Sequence, residues 1–426
     1  MSDISRRSAA RLGLGVSLGA AAATLAGCGT GEHRSRPPAG PGHRPDRGAA
    51  GAKQALPRLI GDGSTAYTGM QPNQPAAPRK LEPGEQPPQF VIFSWDGAGE
   101  VGNGLYPRFL KLAKEHDAHM TFFLSGLYLL PESKKRLYRP PNNPVGSSAI
   151  DFLTDDHVKL TLKYTRQAWL DGHEVGTHFN GHFCDGSGSV AHWTPAQWRS
   201  EIEQAKTFVK TWRTNTGWHD HPSLPFDYDK ELVGSRTPCL LGQKNLLPTA
   251  RELGWRYDAS SPGGVQRWPR KNQGLWDLPL QGIPFPGHRF EVLSMDYNIL
   301  ANQSKNSTRA PSYNYPAWRT QATKSYLAGF QRAYDTNRAP LFIGNHFEEW
   351  NGGIYMDAVE QTLKQIAQKK DVRLVSFKQF VDWLDAQDPA VLAKLRSLQV
   401  GQRPPGGWSA YLRPAAKAKG AAGKRA

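Results

Sequence analysis

Between residues 89 and 385, short apolar runs alternate with amphipathic segments. The runs Gln89–Asp96, Ala118–Ser125 and Pro340–His346 are typical of buried strands. The segments Tyr106–Glu115 and Val158–Leu170 have helical periodicity. Repeated alternation of strand and helix predicts parallel strands with helices packed outside them. A region of about 300 residues fits a closed or distorted α/β barrel better than two separate sheets.

Composition and charge exclude several classes of protein. The 426 residues are 38% hydrophobic, enough for a core, and only 3 are cysteines, which excludes a disulfide-stapled scaffold. No apolar run reaches the ~18 residues that a membrane span needs, which excludes a polytopic membrane protein. The flanks 1–88 and 401–426 carry 17 of the 53 Lys and Arg but only 6 of the 37 Asp and Glu. The nearly balanced middle does not predict a nucleic-acid-binding face.

Residues 1–28 have the pattern of an export signal. A basic start that includes Ser5-Arg6-Arg7 precedes the apolar, small-residue stretch Leu12–Ala26. The run Leu25-Ala26-Gly27-Cys28 resembles a lipoprotein processing site, which would make Cys28 the lipidated residue. The arginine pair is similar to a twin-arginine motif without its usual following apolar residues. The pattern predicts an exported lipoprotein anchored in the cell membrane on its extracytoplasmic side, with an ordinary cleaved signal peptide as the alternative.

The rest of the chain divides into three parts by composition. Residues 29–88 contain 11 Pro and 10 Gly in 60 positions, which predicts a flexible spacer. Residues 89–390 form the predicted globular domain. Residues 391–426 are predicted to be a helical end followed by a basic, disordered tail.

Three features could supply chemistry. Asp96 ends an apolar strand, where α/β folds place active-site residues. His178 and His182 form an H-x₃-H pair, which in one helical turn would place both imidazoles on the same side. Two His and one Asp could fill three positions on a divalent metal and leave a fourth open. His346 ends a later strand and could protonate a leaving group. Each residue taken alone is also compatible with a structural role.

These segments, in this order, resemble the polysaccharide deacetylases of the NodB-homology type, carbohydrate esterase family 4. The resemblance spans about residues 89–385. Five separated segments match the family's motifs: Phe93–Gly97 against Thr-Phe-Asp-Asp-Gly, Gly172–His182 against Gly-His-Glu-Ile-Gly-x-His-x-x-x-His, Arg236–Cys239 against Arg-x-Pro-Tyr, Trp276–Pro279 against Trp-Glu-x-Pro, and Asn345–Phe347 against the late His strand. The run Ser235–Ser261 is most similar to the chitin-deacetylase branch.

The resemblance implies a distorted (β/α) barrel of NodB-homology type with a divalent metal on Asp96, His178 and His182. The metal would be Zn²⁺, with Co²⁺ or Mn²⁺ as alternatives. His346 would be the general acid. Arg236 would orient the acidic groups, and the backbone N–H of Cys239 would help to hold the oxyanion.

The chain departs from the family where the general base is expected, because the first Asp of the motif is Trp95 here. Loss of a general base typically costs ~10²–10⁴ in rate. Glu100, Asp185, Glu348 and Glu349 are candidate substitutes. Trp95 could stack on a sugar or pack in the core, and Trp276 is a second candidate for substrate binding.

The family's motif Tyr is Cys239 here, and Cys184 follows His182 by two residues. Because the matching segments should converge at one mouth, the two cysteines could form a disulfide in an oxidising compartment. Two free thiols, or a thiolate that joins the metal, are the alternatives.

The sequence therefore favours a metal-dependent hydrolase that removes N-acetyl groups from a chitin-like glycan, peptidoglycan or exopolysaccharide at the cell surface. One alternative is a glycan-binding lipoprotein on the same fold with little or no catalysis, because the usual Asp is absent. A purely structural wall-associated protein would require the candidate metal ligands to be incidental.

Overall fold

The computed structural model describes residues 57–261 and 263–413. The predicted export signal, Cys28, the first part of the predicted spacer and the last 13 residues of the predicted tail lie outside this range. Among the described helices, none combines the length and the apolar character needed to cross a membrane.

A single nine-stranded sheet, mixed with helices, organises the fold. Its strands follow the order β12-β3-β4-β5-β6-β7-β9-β8, and β13 also pairs with β3. All neighbours are parallel except β8 and β9. Two short antiparallel pairs, β1–β2 and β10–β11, lie outside it. The strands are β1 Arg58–Ile60, β2 Thr65–Tyr67, β3 Gln89–Asp96, β4 Thr121–Leu124, β5 Glu174–Thr177, β6 Gly234–Ser235, β7 Tyr257–Asp258, β8 Arg270–Asn272, β9 Leu275–Asp277, β10 Gly282–Pro284, β11 Glu291–Leu293, β12 Leu341–Asn345 and β13 Val372–Leu374.

Helices connect most of the parallel strands. They are α1 Leu105–Glu115, α2 Asp155–Leu170, α3 Pro195–Lys210, α4 Trp212–Thr216, α5 Tyr228–Glu231, α6 Gln243–Glu252, α7 Asp296–Ser304, α8 Tyr315–Tyr334, α9 Trp350–Ala367, α10 Phe377–Ala386, α11 Pro389–Ser397 and α12 Gly407–Tyr411. The predicted mixed α/β fold with a parallel, curled sheet is confirmed. The curled sheet forms a partial barrel and not a closed one, because the strands at the two ends of this order, β12 and β8, do not pair with each other.

Strand β3 is buried on both faces and separates two clusters of apolar side chains. Successive side chains of a strand point to opposite faces. Val91, Phe93 and Trp95 belong to the cluster that includes α1, α8 and α9. Phe90 and Ile92 belong to the cluster that includes Phe123, Tyr257 and Trp276, which come from other strands of the same sheet. Asp96 shares the parity of the second set, so its carboxylate lies on the inner side of the curled sheet.

The spacer predicted for residues 29–88 differs from the structure over residues 57–88. Strand β2 continues into a bridge between Thr65 and Leu224, and Trp212 Nε1 donates to Ser64 O at 2.8 Å. Further along, Gln71 Nε2 donates to the carbonyls of Trp169 and His173. These contacts are hydrogen bonds of backbone, indole and side-chain amide groups, and the pattern of apolar residues along the sequence does not predict them.

The disordered tail predicted after about residue 401 also differs from the structure. Trp408 and Tyr411 pack against the apolar cluster that contains Phe90 and Ile92, and Leu412 is buried in that cluster. Three apolar side chains therefore hold a segment whose composition is otherwise typical of a tail.

Candidate active site

The carboxylate of Asp96 pairs with a guanidinium at the end of β3. Arg236 Nη1 donates to Asp96 Oδ1 at 2.8 Å and to Ser94 Oγ at 2.8 Å, and Arg236 Nε donates to Ala259 O at 3.1 Å. Arg236 is fully buried and Asp96 is 5% exposed. Burial alone would raise the pKa of Asp96, but the charge of Arg236 lowers it below its ordinary value. Asp96 is therefore an anion at neutral pH.

The two histidines of the H-x₃-H pair follow β5, and their ring centroids are 5.1 Å apart. The predicted helical turn is absent, because Phe179 and His182 adopt left-handed conformations with φ of 63° and 56°. His178 Nδ1 lies 2.8 Å from the carbonyl oxygen of Arg236. A proton on Nδ1 that is held by this carbonyl leaves Nε2 free as a metal ligand.

Both imidazoles are held neutral. Burial lowers the pKa of His178. Burial lowers the pKa of His182 to about 3, and the positive charge of His346 acts in the same direction. Neutral imidazole is the form that binds a metal ion.

His346 follows β12 and is held by a carboxylate that the sequence analysis did not identify. Asp296, the first residue of α7, is fully buried and accepts from His346 N at 2.7 Å. Its Oδ1 lies 2.8 Å from His346 Nδ1. Burial opposes a charge on His346, but Asp296 raises the pKa of this imidazole to about 9. His346 is therefore protonated at neutral pH, as a general acid must be.

A metal fits the donor types at this site but not the present separation of the donors. Two donor atoms bound to one zinc ion at up to ~2.3 Å lie within ~4.6 Å of each other. Within the described part of the chain, the group whose donor atoms all lie within 4.8 Å of one another is His182, Cys184 and Cys239. Asp96, His178 and His182 do not meet that limit. One carboxylate and two neutral imidazoles suit a divalent ion, and at least one side chain must shift for all three to bind it.

Cys184 and Cys239 form a disulfide, with their Cα atoms 6.0 Å apart. The bond joins the loop after β5 to the loop after β6, and Cys184 Sγ lies 3.5 Å from His182 Nδ1. Because both sulfurs are used in this bond, neither is a thiolate that could bind a metal. Cys239 has a left-handed backbone with φ of 54°, and His182, two residues before Cys184, has one with φ of 56°, so each of the two segments that the disulfide joins contains a strained position.

The two tryptophans predicted to bind substrate are in the core. Trp95 is fully buried, and its ring centroid lies 4.8 Å from that of Phe109 and 5.4 Å from that of Phe347. Trp276 is 4% exposed, and its Nε1 donates to Asp385 at 2.8 Å. Neither indole face is open to a glycan, because both are covered by neighbouring elements.

The four candidate substitute bases lie in different environments. Glu100 is buried and accepts from the backbone N–H groups of Gly102, Gly104 and Tyr106, so it stabilises the start of α1 and is not available at the site. Asp185, Glu348 and Glu349 are all exposed. Desolvation raises the pKa of Glu348, and the charge of His346 opposes that rise. Glu348 is thus electrostatically coupled to His346.

Comparison with solved structures finds polysaccharide deacetylases and CE4 esterases among the chains of similar fold. A Mycobacterium smegmatis protein named as a polysaccharide deacetylase is 15% identical, with a TM-score of 0.43 over 74% of this chain and 95% of that chain. A Streptococcus mutans CE4 esterase is 12% identical, with a TM-score of 0.39 over 72% of this chain and 100% of that chain. The chitin deacetylase of Colletotrichum lindemuthianum is 13% identical, with a TM-score of 0.36 over 70% of this chain and 91% of that chain.

The chain is similar to polysaccharide deacetylases and CE4 esterases. This is the class that its sequence motifs resemble. No family model and no curated protein matches the chain.

We expect Asp296→Asn to return the pKa of His346 from about 9 towards its ordinary value of ~6.5. Because the pKa of His346 is higher in the folded protein than in the unfolded chain, protonation of His346 stabilises the fold. This stabilisation is fully present below the unfolded pKa of ~6.5 and is lost as the pH rises through ~9. The variant should therefore lose about 3 kcal/mol of unfolding free energy below pH ~6.5 and much less above pH ~9. Histidine NMR titration of the metal-free protein and urea unfolding at both pH values would measure this. An equal loss of stability at both pH values would contradict the proposed charge pair.

We expect the double variant Cys184→Ala, Cys239→Ala to lose about 2–4 kcal/mol of unfolding free energy, because the bond closes a long loop, with a sequence separation of 55. Denaturant unfolding would measure the loss. The wild type treated with a phosphine reductant is the matched comparison, and it should unfold like the double variant. A reductant that destabilised the double variant equally would contradict this account.

Proposed function

We propose that this protein is a metal-dependent hydrolase that removes N-acetyl groups from a glycan. The observation that carries the proposal is the meeting of an anionic Asp96, two neutral imidazoles and a protonated His346 where parallel strands end. The C-terminal edge of such a sheet is where α/β barrels place their active sites. The similarity in class to chitin and peptidoglycan deacetylases agrees with this substrate.

Asp96, His178 and His182 would hold the divalent ion. When bound, such an ion polarises an amide carbonyl and lowers the pKa of water towards ~7. Arg236 keeps Asp96 ionised, and the carbonyl of Arg236 fixes the tautomer of His178. His346 carries the proton that the leaving amine needs, and Asp296 keeps it on the ring.

The attacking water also needs a proton acceptor. Trp95 cannot supply one, since indole is not a base and this side chain lies in the core. We assign the role to Glu348, which is coupled to His346 and whose raised pKa favours a carboxylate of moderate basicity.

A glycan-binding protein with little or no catalysis is the second candidate. Two observations favour it: the site lacks the family's first Asp, and the three metal donors are not within the distance that one ion requires. Both candidates include an exported, lipid-anchored protein, a prediction that rests on residues 1–28 alone.

The test is acetate release from N-acetylglucosamine oligomers by the full chain with Zn²⁺, Co²⁺ or Mn²⁺ added. Asp96→Ala is the control, and Glu348→Gln tests the assigned base. Metal-dependent acetate release that is lost in Asp96→Ala, with this variant shown to be folded, would establish the hydrolase. No acetate above the control, from folded and metal-loaded protein, would overturn it in favour of the glycan-binding protein.

A further inference from the structure

The side chain of Trp350 lies beside His346, the side chain of Tyr297 lies beside Trp350, and both are partly open to solvent. The ring centroid of Trp350 lies 5.3 Å from that of His346 and 5.8 Å from that of Tyr297. Tyr297 is 37% exposed and Trp350 is partly exposed. Tyr297 directly follows Asp296, the carboxylate that holds His346. Each aromatic residue is therefore within four positions along the chain of one member of the Asp296–His346 pair.

The backbone that follows Trp350 is irregular and firmly anchored. Asn351, Gly352 and Gly353 follow Trp350 with φ of 51°, 74° and 78°, so the first turn of α9 is not helical. At Gly352, a Cβ would lie 3.0 Å from the ring of Tyr315, which adds a steric reason for glycine. Asn351 is the residue of this run that has a side chain, and a non-glycine residue with positive φ persists where its surroundings enforce it, often at functional sites.

Asn351 supplies the anchor. It is fully buried, its Oδ1 accepts from Ala310 N at 2.8 Å and its Nδ2 donates to Ser307 O at 3.1 Å. Its own N–H donates to Thr308 O at 2.8 Å. These bonds tie the loop before α8 to the start of α9 and fix where Trp350 emerges.

We propose that Trp350 and Tyr297 form the surface on which a pyranose ring of the substrate stacks. The axial C–H groups of a pyranose make one face of the sugar apolar, and covering that face with an aromatic ring removes apolar area from water. A sugar stacked there lies next to His346, which protonates its amine in the proposed reaction. The proposal rests on the proposed function for its substrate class, and it replaces the two buried tryptophans as the glycan contact.

The competing explanation is that Trp350 only packs against His346 and holds its ring. The two roles predict different kinetics. A stacking surface contributes to binding of the glycan, so its loss raises Kd and KM. A packing role acts through His346, so its loss lowers kcat and leaves the affinity for glycan unchanged.

The experiment measures binding of an N-acetylglucosamine oligomer to the metal-free full chain by calorimetry, where no turnover contributes. Trp350→Ala and Tyr297→Ala should each bind about tenfold more weakly, and Trp350→Phe should recover most of the affinity. Trp218→Ala is the matched control, because Trp218 is also partly buried and its ring faces the ammonium of Lys159. This control should bind as the wild type does. Tyr297→Ala and Trp350→Phe keep the test open should Trp350→Ala fail to fold.

Unchanged affinity in folded Trp350→Ala and Tyr297→Ala would overturn the proposal, as would a wild type that does not bind the oligomer. A wild type that binds the oligomer through these two rings, yet releases no acetate when a divalent metal is added, would support the stacking surface and overturn the hydrolase. The failure of one proposal is therefore distinguishable from the failure of the other.

Discussion

The variant Trp95→Asp, which introduces the carboxylate that the polysaccharide deacetylase motif has at this position, is expected to unfold the protein rather than to increase its activity. Trp95 is fully buried, on the face of β3 opposite to Asp96, between the rings of Phe109, Phe122 and Phe347. Replacement of a buried Trp by a small residue costs about 3–5 kcal/mol. An unpaired carboxylate in that apolar site adds the cost of burying a charge or of protonating it. The sum approaches the whole stability of a typical domain, about 5–15 kcal/mol.

Urea unfolding, circular dichroism and acetate release would measure the effect, with Trp95→Phe as the matched control. The control keeps most of the apolar volume and removes the indole N–H, which has no hydrogen-bond partner among the described residues. It should therefore remain folded with activity like the wild type. A folded Trp95→Asp that releases acetate faster than the wild type would show that residue 95 reaches the site.

The orientation of Trp95 shows what the sequence could and could not predict. The alternation along β3 already places residues 95 and 96 on opposite faces. Gln89–Asp96 is buried on both faces, however, so the apolar pattern could not tell which face lines the inside of the curled sheet. That knowledge requires the partners, here the guanidinium of Arg236, which is 140 residues away from Asp96 along the chain.

Asp296 was missed for a related reason. It begins a short helix in a region where no strand or helix was predicted, and its partner His346 is 50 residues further along the chain. The available signal was an isolated acid at the start of α7 directly after Met295. That signal is weak, because acids are common at helix starts. Full burial of this carboxylate is what distinguishes it, and burial was visible only in the structure.

Boundaries were less predictable than motifs. His178, Arg236 and His346 were found because each belongs to a short motif with fixed chemistry. The composition of residues 57–88 and 401–413, which is rich in Pro, Gly and charged residues, predicts flexible flanks. In the structure these segments pack through single apolar side chains and through amide groups. A few such contacts hardly change the average composition of a segment, so composition does not predict them.

The variant Asp96→Asn is expected to remove bound metal, to abolish acetate release and to destabilise the fold together. Asp96 is the carboxylate that pairs with Arg236, whose guanidinium is fully buried over the ring of Phe123 at 4.9 Å. Removal of one partner of a buried ion pair costs about 3–5 kcal/mol, because the remaining charge is left uncompensated. Denaturant unfolding and metal content by mass spectrometry would measure the two effects.

The two effects can be separated by removing the second charge. In the double variant Asp96→Asn, Arg236→Met, no uncompensated guanidinium remains, and replacing a buried ion pair by apolar side chains is often neutral. We therefore expect the double variant to regain most of the lost stability. It should regain neither metal nor acetate release, because the carboxylate ligand is still missing. If stability and metal returned together, Asp96 would act through the fold, and the ion would be held by other residues. If Asp96→Asn lost stability but kept its metal, the assignment of Asp96 as a ligand would be wrong.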